Sequence, residues 1–119
     1  MKHDFDEDVH ALLPLAPAFL QILIALGEGE RHGYAIMQDV AARTGGRVQM
    51  SPGTLYGSIK RMLADGLIEE LTTGAAGADE RRRFYRLTKF GRRVAAAEAE
   101  RLTSLLSQAR SSGLVPRRS

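Results

Sequence analysis

Several groups of side chains in this sequence could do chemistry, and most fail on spacing. The acidic run "DFDED" sets Asp4, Asp6 and Asp8 at alternate positions, as a calcium loop would. Such a loop needs glycine where Val9 stands and a bidentate glutamate where Leu15 stands, so no metal is expected there. Gly27, Gly29 and Gly33 nearly spell a dinucleotide fingerprint, but the third glycine comes one place late and a helical pattern, not a strand, precedes them. His3, His10 and His32 have no paired spacing, and His32 reads as a helix-start residue. With no cysteine in the chain, thiolate metal sites, disulfides and a cysteine nucleophile are excluded. No catalytic arrangement emerges, so neither an enzyme nor a cofactor is expected.

The remaining chemistry is cationic. The formal net charge is +3, and Arg117 and Arg118 contribute two of the 17 basic side chains, leaving 15 against 14 acidic ones. Distribution is more informative than the total. The stretch "ERRRFYRLTKFGRR" at 80–93 holds seven basic side chains against Glu80, whereas residues 1–10 hold four acids against Lys2. Arginines at this density suit phosphate contact, because neutralising several phosphates supplies most of the sequence-independent affinity for nucleic acid. The competing reading is a solvated arginine cluster.

A second candidate is the stretch "MSPGTLYGSIKRMLADGLIEE" at 50–70. Ser51 can accept a backbone N–H at a helix start, and Pro52 suits the first helical position. At 100° per residue, Leu55, Ile59, Met62 and Leu63 form a buried stripe, and Asp65-Gly66 closes the helix. The opposite side carries Gly53, Gly57, Lys60, Arg61 and Ala64, with Thr54 at its edge. A glycine inside a helix costs about 1 kcal/mol relative to alanine, so Gly57 calls for a reason. Close approach to another surface is one. A major groove admits a helix and penalises bulk on its leading face, while hydroxyls and cations at the edges reach phosphates and base acceptors.

The elements that must hold these residues follow from periodicity. Leu15, Phe19, Ile22, Leu23 and Leu26 mark a first core helix, with "GEGE" as its stop. A second runs from about Gly33 to Thr44, with Ile36, Met37 and Val40 inward and Gly45-Gly46 ending it. "LIEELTT" and "RRRFYRLT" read as two strands, joined by "GAAGAD", too long for a tight two-residue turn. Alternation puts Tyr85 and Leu87 on the core side and Phe84 and Arg86 on the other. From Lys89 to Arg110 the pattern is helical again. Ala95, Ala99, Leu102, Leu106 and Ala109, spaced 4, 3, 4, 3, make a heptad seam with Leu105 beside it, and so short a seam needs a partner surface. Phe5, Val9, Leu12 and Leu13 suggest one more amphipathic turn or two near the start.

A chain of 119 residues supports one core. The expected organisation is an extension at 1–14, a winged helix-turn-helix unit at 15–88, a dimerisation helix at 89–110 and a disordered, vector-like tail at 111–119. The class is mainly α with a small β-hairpin. Helix, helix, helix, strand, strand is the winged helix-turn-helix order, in which the third helix enters the groove and the hairpin tip flanks it. The apolar stretch at 11–26 is too short and too interrupted by Pro14, Pro17 and Gln21 to span a membrane, and acids follow Lys2 where a secretory signal would turn apolar. A cytoplasmic protein is expected.

The motifs "HGYAI", "SPGTLYGSIKRM", "DGLIEE" and "RRFYRLTKFG", in this order, closely resemble the PadR-type transcriptional regulators over residues 15–110. The resemblance implies a homodimeric repressor that binds double-stranded DNA, of the short form with a single C-terminal dimerisation helix. Matched position by position, Ser51, Thr54, Tyr56, Gly57, Lys60 and Arg61 fall in the recognition-helix region. Tyr34 matches a tyrosine near the DNA backbone, and Arg81, Arg82 and Arg83 match the wing. The seam of Ala95, Ala99, Leu102, Leu105, Leu106 and Ala109 falls where the family dimerises. Some relatives bind a small aromatic effector at the dimer interface. The alternative function is a winged-helix protein-interaction module that does not bind DNA.

Overall fold

A computed structural model of the chain describes residues 5–71 and 83–116. The order is α1 (Phe5–Ala11), α2 (Pro17–Ala25), β1 (Arg31–His32), α3 (Gly33–Arg43), α4 (Pro52–Ala64), β2 (Ile68–Leu71), β3 (Phe84–Leu87) and α5 (Lys89–Ser111). Helices α2, α3 and α4 pack around Ile22, Leu23, Ile36, Val40, Leu55, Ile59 and Met62, all buried. The sheet adds Leu67, Ile68 and Tyr85 to the same cluster, and α5 adds Val94. No helix among the described residues is long and apolar enough to cross a membrane.

The helix starts follow local chemistry. Ser51 Oγ accepts the Thr54 N–H at 3.1 Å, and Thr88 Oγ1 accepts the Gly91 N–H at 2.9 Å, so α4 and α5 are capped by their own preceding hydroxyls. Helix α4 ends where Gly66 takes φ +77°, which lets the Leu67 N–H return to the Met62 carbonyl at 2.9 Å and turns the chain directly into β2.

Where two strands were expected, the sheet has three. Its antiparallel order is β1-β3-β2, with Arg31 opposite Tyr85 and Ile68 opposite Leu87. Strand β1 is two residues long, too short for any periodicity, and exists because β3 offers it a free edge. His32 serves there and also as the α3 cap, its Nδ1 accepting the Ala35 N–H at 3.2 Å. The ring of Phe84 meets His32 edge-on at 5.5 Å. That contact explains why Phe84, placed by alternation on the outer side, is half-buried.

Helix α5 differs from the simple seam expected of it. Its first half closes the protomer's own core through Gly91, Val94 and Glu98, all buried, and Ala95 also packs on that core. At Gly91 an added Cβ would collide with the Leu67 carbonyl oxygen, so only glycine allows this approach. The tail read as disordered from 111 begins in order. Ser111 is helical, and Gly113 at φ +77° brings the Leu114 N–H to the Ala109 carbonyl at 3.0 Å, closing α5. Helix α1 packs on α5 of the same protomer, with Val9 buried and Asp6 paired to Arg93 at 2.7 Å.

Glu98 is 2% exposed. Its Oε2 accepts the Leu15 N–H at 2.9 Å, and Arg101 donates from Nε to Oε1 at 2.6 Å and from Nη2 to Oε2 at 3.1 Å. The Arg101 hydrogen bond holds the carboxyl below its ordinary range, burial opposes this, and the Leu15 N–H assists. A depressed folded-state value means the contribution to stability is complete above the unfolded value, about 4.3, and fades as the pH falls through the folded one. Melting temperatures recorded from pH 6 to pH 3 are therefore expected to fall less steeply in Glu98→Gln than in the parent chain.

Candidate nucleic-acid interface

The outer side of α4 is an open surface. Pro52, Gly53, Thr54, Tyr56, Gly57, Lys60, Arg61 and Ala64 are all exposed, while Leu55, Ser58, Ile59 and Met62 are buried beneath them. At Gly57 an added Cβ would meet nothing within 4 Å. Nothing within the protomer therefore requires glycine there. Gly57→Ala is expected to raise stability by about 1 kcal/mol, read as a higher melting temperature; an unchanged or lower one would mean that this helix gains nothing from the methyl.

The cations differ in what already holds them. Lys60 is exposed, and Arg61 reaches Asp65 at 3.5 Å one turn away while remaining 72% exposed. An exposed pair of this kind is worth little and yields readily to a phosphate. On the sheet, Arg86 is paired to Glu69 at 2.6 Å and Arg83 to Glu70 at 3.6 Å. The strand register thus sets two arginines of the basic stretch against two glutamates, which the linear charge count does not show. Arg81 and Arg82 lie outside the described residues.

Tyr56 connects two elements. Tyr56 leans from α4 over the first turn of α3, where a Cβ on Gly33 would stand 2.7 Å from its hydroxyl oxygen. Tyr34, the next residue of α3, is 56% exposed and Tyr56 38%. Tyr56 therefore joins the outer face of α4 to the start of α3, where Gly33 has no side chain to stand in its way.

Sequence reasoning missed the ionic cluster that fixes α3. Asp39, 15% exposed, binds Arg43 Nε at 2.6 Å and Arg31 Nη2 at 3.3 Å. Arg31 Nε also donates to the Ala25 carbonyl at 2.7 Å, and Arg43 reaches Glu28 at 3.0 Å. The i,i+4 spacing of Asp39 and Arg43 was a readable signal; the link to Arg31 was not, because it depends on how the turn after α2 folds back. Among the described residues no group of three or more His, Asp or Glu side chains is placed to hold a metal ion.

A helix-turn-helix pair followed by a small sheet wing, with the second helix open to solvent on one side, defines a winged-helix transcriptional regulator. The family model for the transcriptional regulator PadR-like family matches residues 22–97, and the chain belongs to that family. It is 36% identical over 88 residues to an uncharacterised 37.1 kDa protein in transposon TN4556 of Streptomyces fradiae. That match covers 74% of this chain and 24% of the relative, so this chain spans about a quarter of it. Among solved structures, a transcriptional regulator from Clostridium thermocellum superposes with TM-score 0.67 at 25% identity, covering 83% of this chain and 90% of the other. Bacillus subtilis PadR in complex with operator DNA shares the fold, with TM-score 0.61 and 21% identity over 84% of this chain and 64% of that one.

Proposed function

We propose that the chain is a homodimeric, sequence-specific DNA-binding repressor that acts in the cytoplasm on a palindromic operator. The outer face of α4 carries the reading: it is low in relief at Gly53 and Gly57, edged by Thr54, Lys60 and Arg61, and open along its whole length. In this arrangement α4 enters the major groove. Ser51, Thr54 and Lys60 meet phosphate or base edges, Arg61 exchanges Asp65 for DNA, and Tyr34 and Tyr56 lie along the backbone. Arg81, Arg82 and Arg83 contact phosphates from the wing. The membership of Bacillus subtilis PadR, solved with operator DNA, in the same fold supports the DNA partner.

The dimer rests on α5. The inward stripe of Gly91, Val94 and Glu98 continues as Leu102, Leu105 and Ala109, and Leu102, Leu105 and Leu106 are 41–46% exposed. Ala99, Leu102, Leu105, Leu106 and Ala109 are the proposed contacts with a second copy, Ala95 being engaged with the protomer's own core. A small aromatic effector bound at this interface would release DNA.

A mobility-shift titration with the promoter beside the chain's own gene, repeated at several salt concentrations, tests this. Binding that prefers that duplex over a random one and weakens with salt is the expected result. Lys60→Ala is expected to weaken binding to all sequences and to reduce the salt slope by about one. An unchanged slope would remove Lys60 from the phosphate contacts, and no binding even at low salt would leave a protein-interaction module as the better reading.

A further inference from the structure

Glu98 is the last buried residue along α5 among the described residues, and it sits where the helix leaves the body. Beyond it, Leu102, Leu105 and Leu106 are exposed. Its carboxylate joins two parts of the protomer: the Leu15 N–H, at the entry to α2, and Arg101, one turn further along α5. Helix α2 in turn packs on α3 and α4, so the Leu15 link reaches the helix that carries the proposed DNA face. An apolar residue at this point would fill the same space with less desolvation, since a buried ion pair gains little over a hydrophobic replacement. What the carboxylate adds is direction. It accepts from the fixed Leu15 N–H of the body, while the forked guanidinium of Arg101 on the same helix holds the carboxylate turned toward that N–H, so the angle of α5 on the body is tied to one directional bond where greasy packing would permit several.

We propose that Glu98 is a positioning residue for operator recognition, setting the angle at which α5 departs from the winged-helix body and hence the distance between the two α4 helices of a dimer. This rests on the dimeric DNA-binding reading above. In a two-fold dimer built on α5, any rotation about the junction at Glu98 is transmitted to both α4 helices. Half-site spacing is a geometric property of that separation. Glu98 would therefore govern which spacing the protein accepts while touching no nucleotide.

The test uses the full chain and duplexes carrying two copies of a half-site selected by the parent protein. Their separation is lengthened or shortened by one and two base pairs. Parent, Glu98→Gln, Glu98→Leu and Arg101→Met proteins are compared, with a single half-site duplex and light scattering run alongside. Arg101 is only half-buried, so Arg101→Met opens no cavity, and thermal melts check that the variant stays folded with the buried Glu98 carboxylate left without its charged partner. The parent is expected to lose about tenfold or more in affinity two base pairs from its optimum. The variants are expected to flatten that profile to within about threefold, with half-site affinity and dimer fraction unchanged. Variants that keep the parent's optimum and steepness would overturn the role of Glu98 and leave the DNA-binding reading intact. A parent that is monomeric, or that binds no duplex, would overturn that reading and the inference with it.

Discussion

Leu102→Asp is expected to give a folded monomer that no longer holds a full operator. The side chain is 41% exposed in the isolated protomer, so the protomer core loses nothing when it changes and the melting profile of the monomer should keep its cooperativity. In the proposed dimer the same position would be buried in both copies, and each copy would bring an unpaired carboxylate into the seam. Burying such a charge costs at least about 3 kcal/mol, which weakens the dimer a hundredfold or more. Light scattering at micromolar concentration is expected to report the monomer mass. Operator affinity should fall to that of a half-site. An intact dimer in this variant would place the interface elsewhere.

Gly91→Ala is expected to cost the fold more than any other single methyl. Alanine in a helix is normally worth about 1 kcal/mol over glycine, and at Gly57 that is the expected gain. At Gly91 the sign reverses. The new Cβ would collide with the Leu67 oxygen and stand 2.7 Å from its carbonyl carbon, both backbone atoms. That carbonyl is held in place, accepting from the Thr88 N–H and from Thr88 Oγ1, each at 3.1 Å. Helix α5 must therefore retreat, opening the contact of Val94 with the core. Overpacking of this severity costs about 3 kcal/mol, and for a domain of about 100 residues this lowers the melting temperature by roughly 10–25 °C. A melting temperature within a few degrees of the parent would show that α5 slides freely on Leu67.

The contrast between the two glycines shows what the sequence could and could not disclose. Helix α4 was legible from its cap, its stripe and its small outer side, because each is a local property. Strand β1 was not: Arg31 and His32 become a strand only when β3 lies beside them. Glu98 escaped notice because a carboxylate in a hydrophobic register reads as a surface residue until its partners, Leu15 and Arg101, are seen. The heptad reading of α5 ran on from Ala95 without a break, whereas in three dimensions Ala95 packs on the protomer's own core and only the distal leucines stay open. Likewise the linear charge count set seven basic side chains against Glu80, whereas the strand register brings Glu70 to Arg83 and Glu69 to Arg86. Features fixed within one turn or one strand were readable; those fixed by which element lies alongside were not.

Selection of bound duplexes from a random DNA pool by the full-length protein tests the central claim most directly. If the outer face of α4 reads the major groove from each half of a two-fold dimer, the enriched sequences will be inverted repeats with arms about one helical turn apart, and methylation of guanine N7 within the arms will block binding. Failure to enrich any sequence, or enrichment of sites that are unaffected by that methylation, would contradict it.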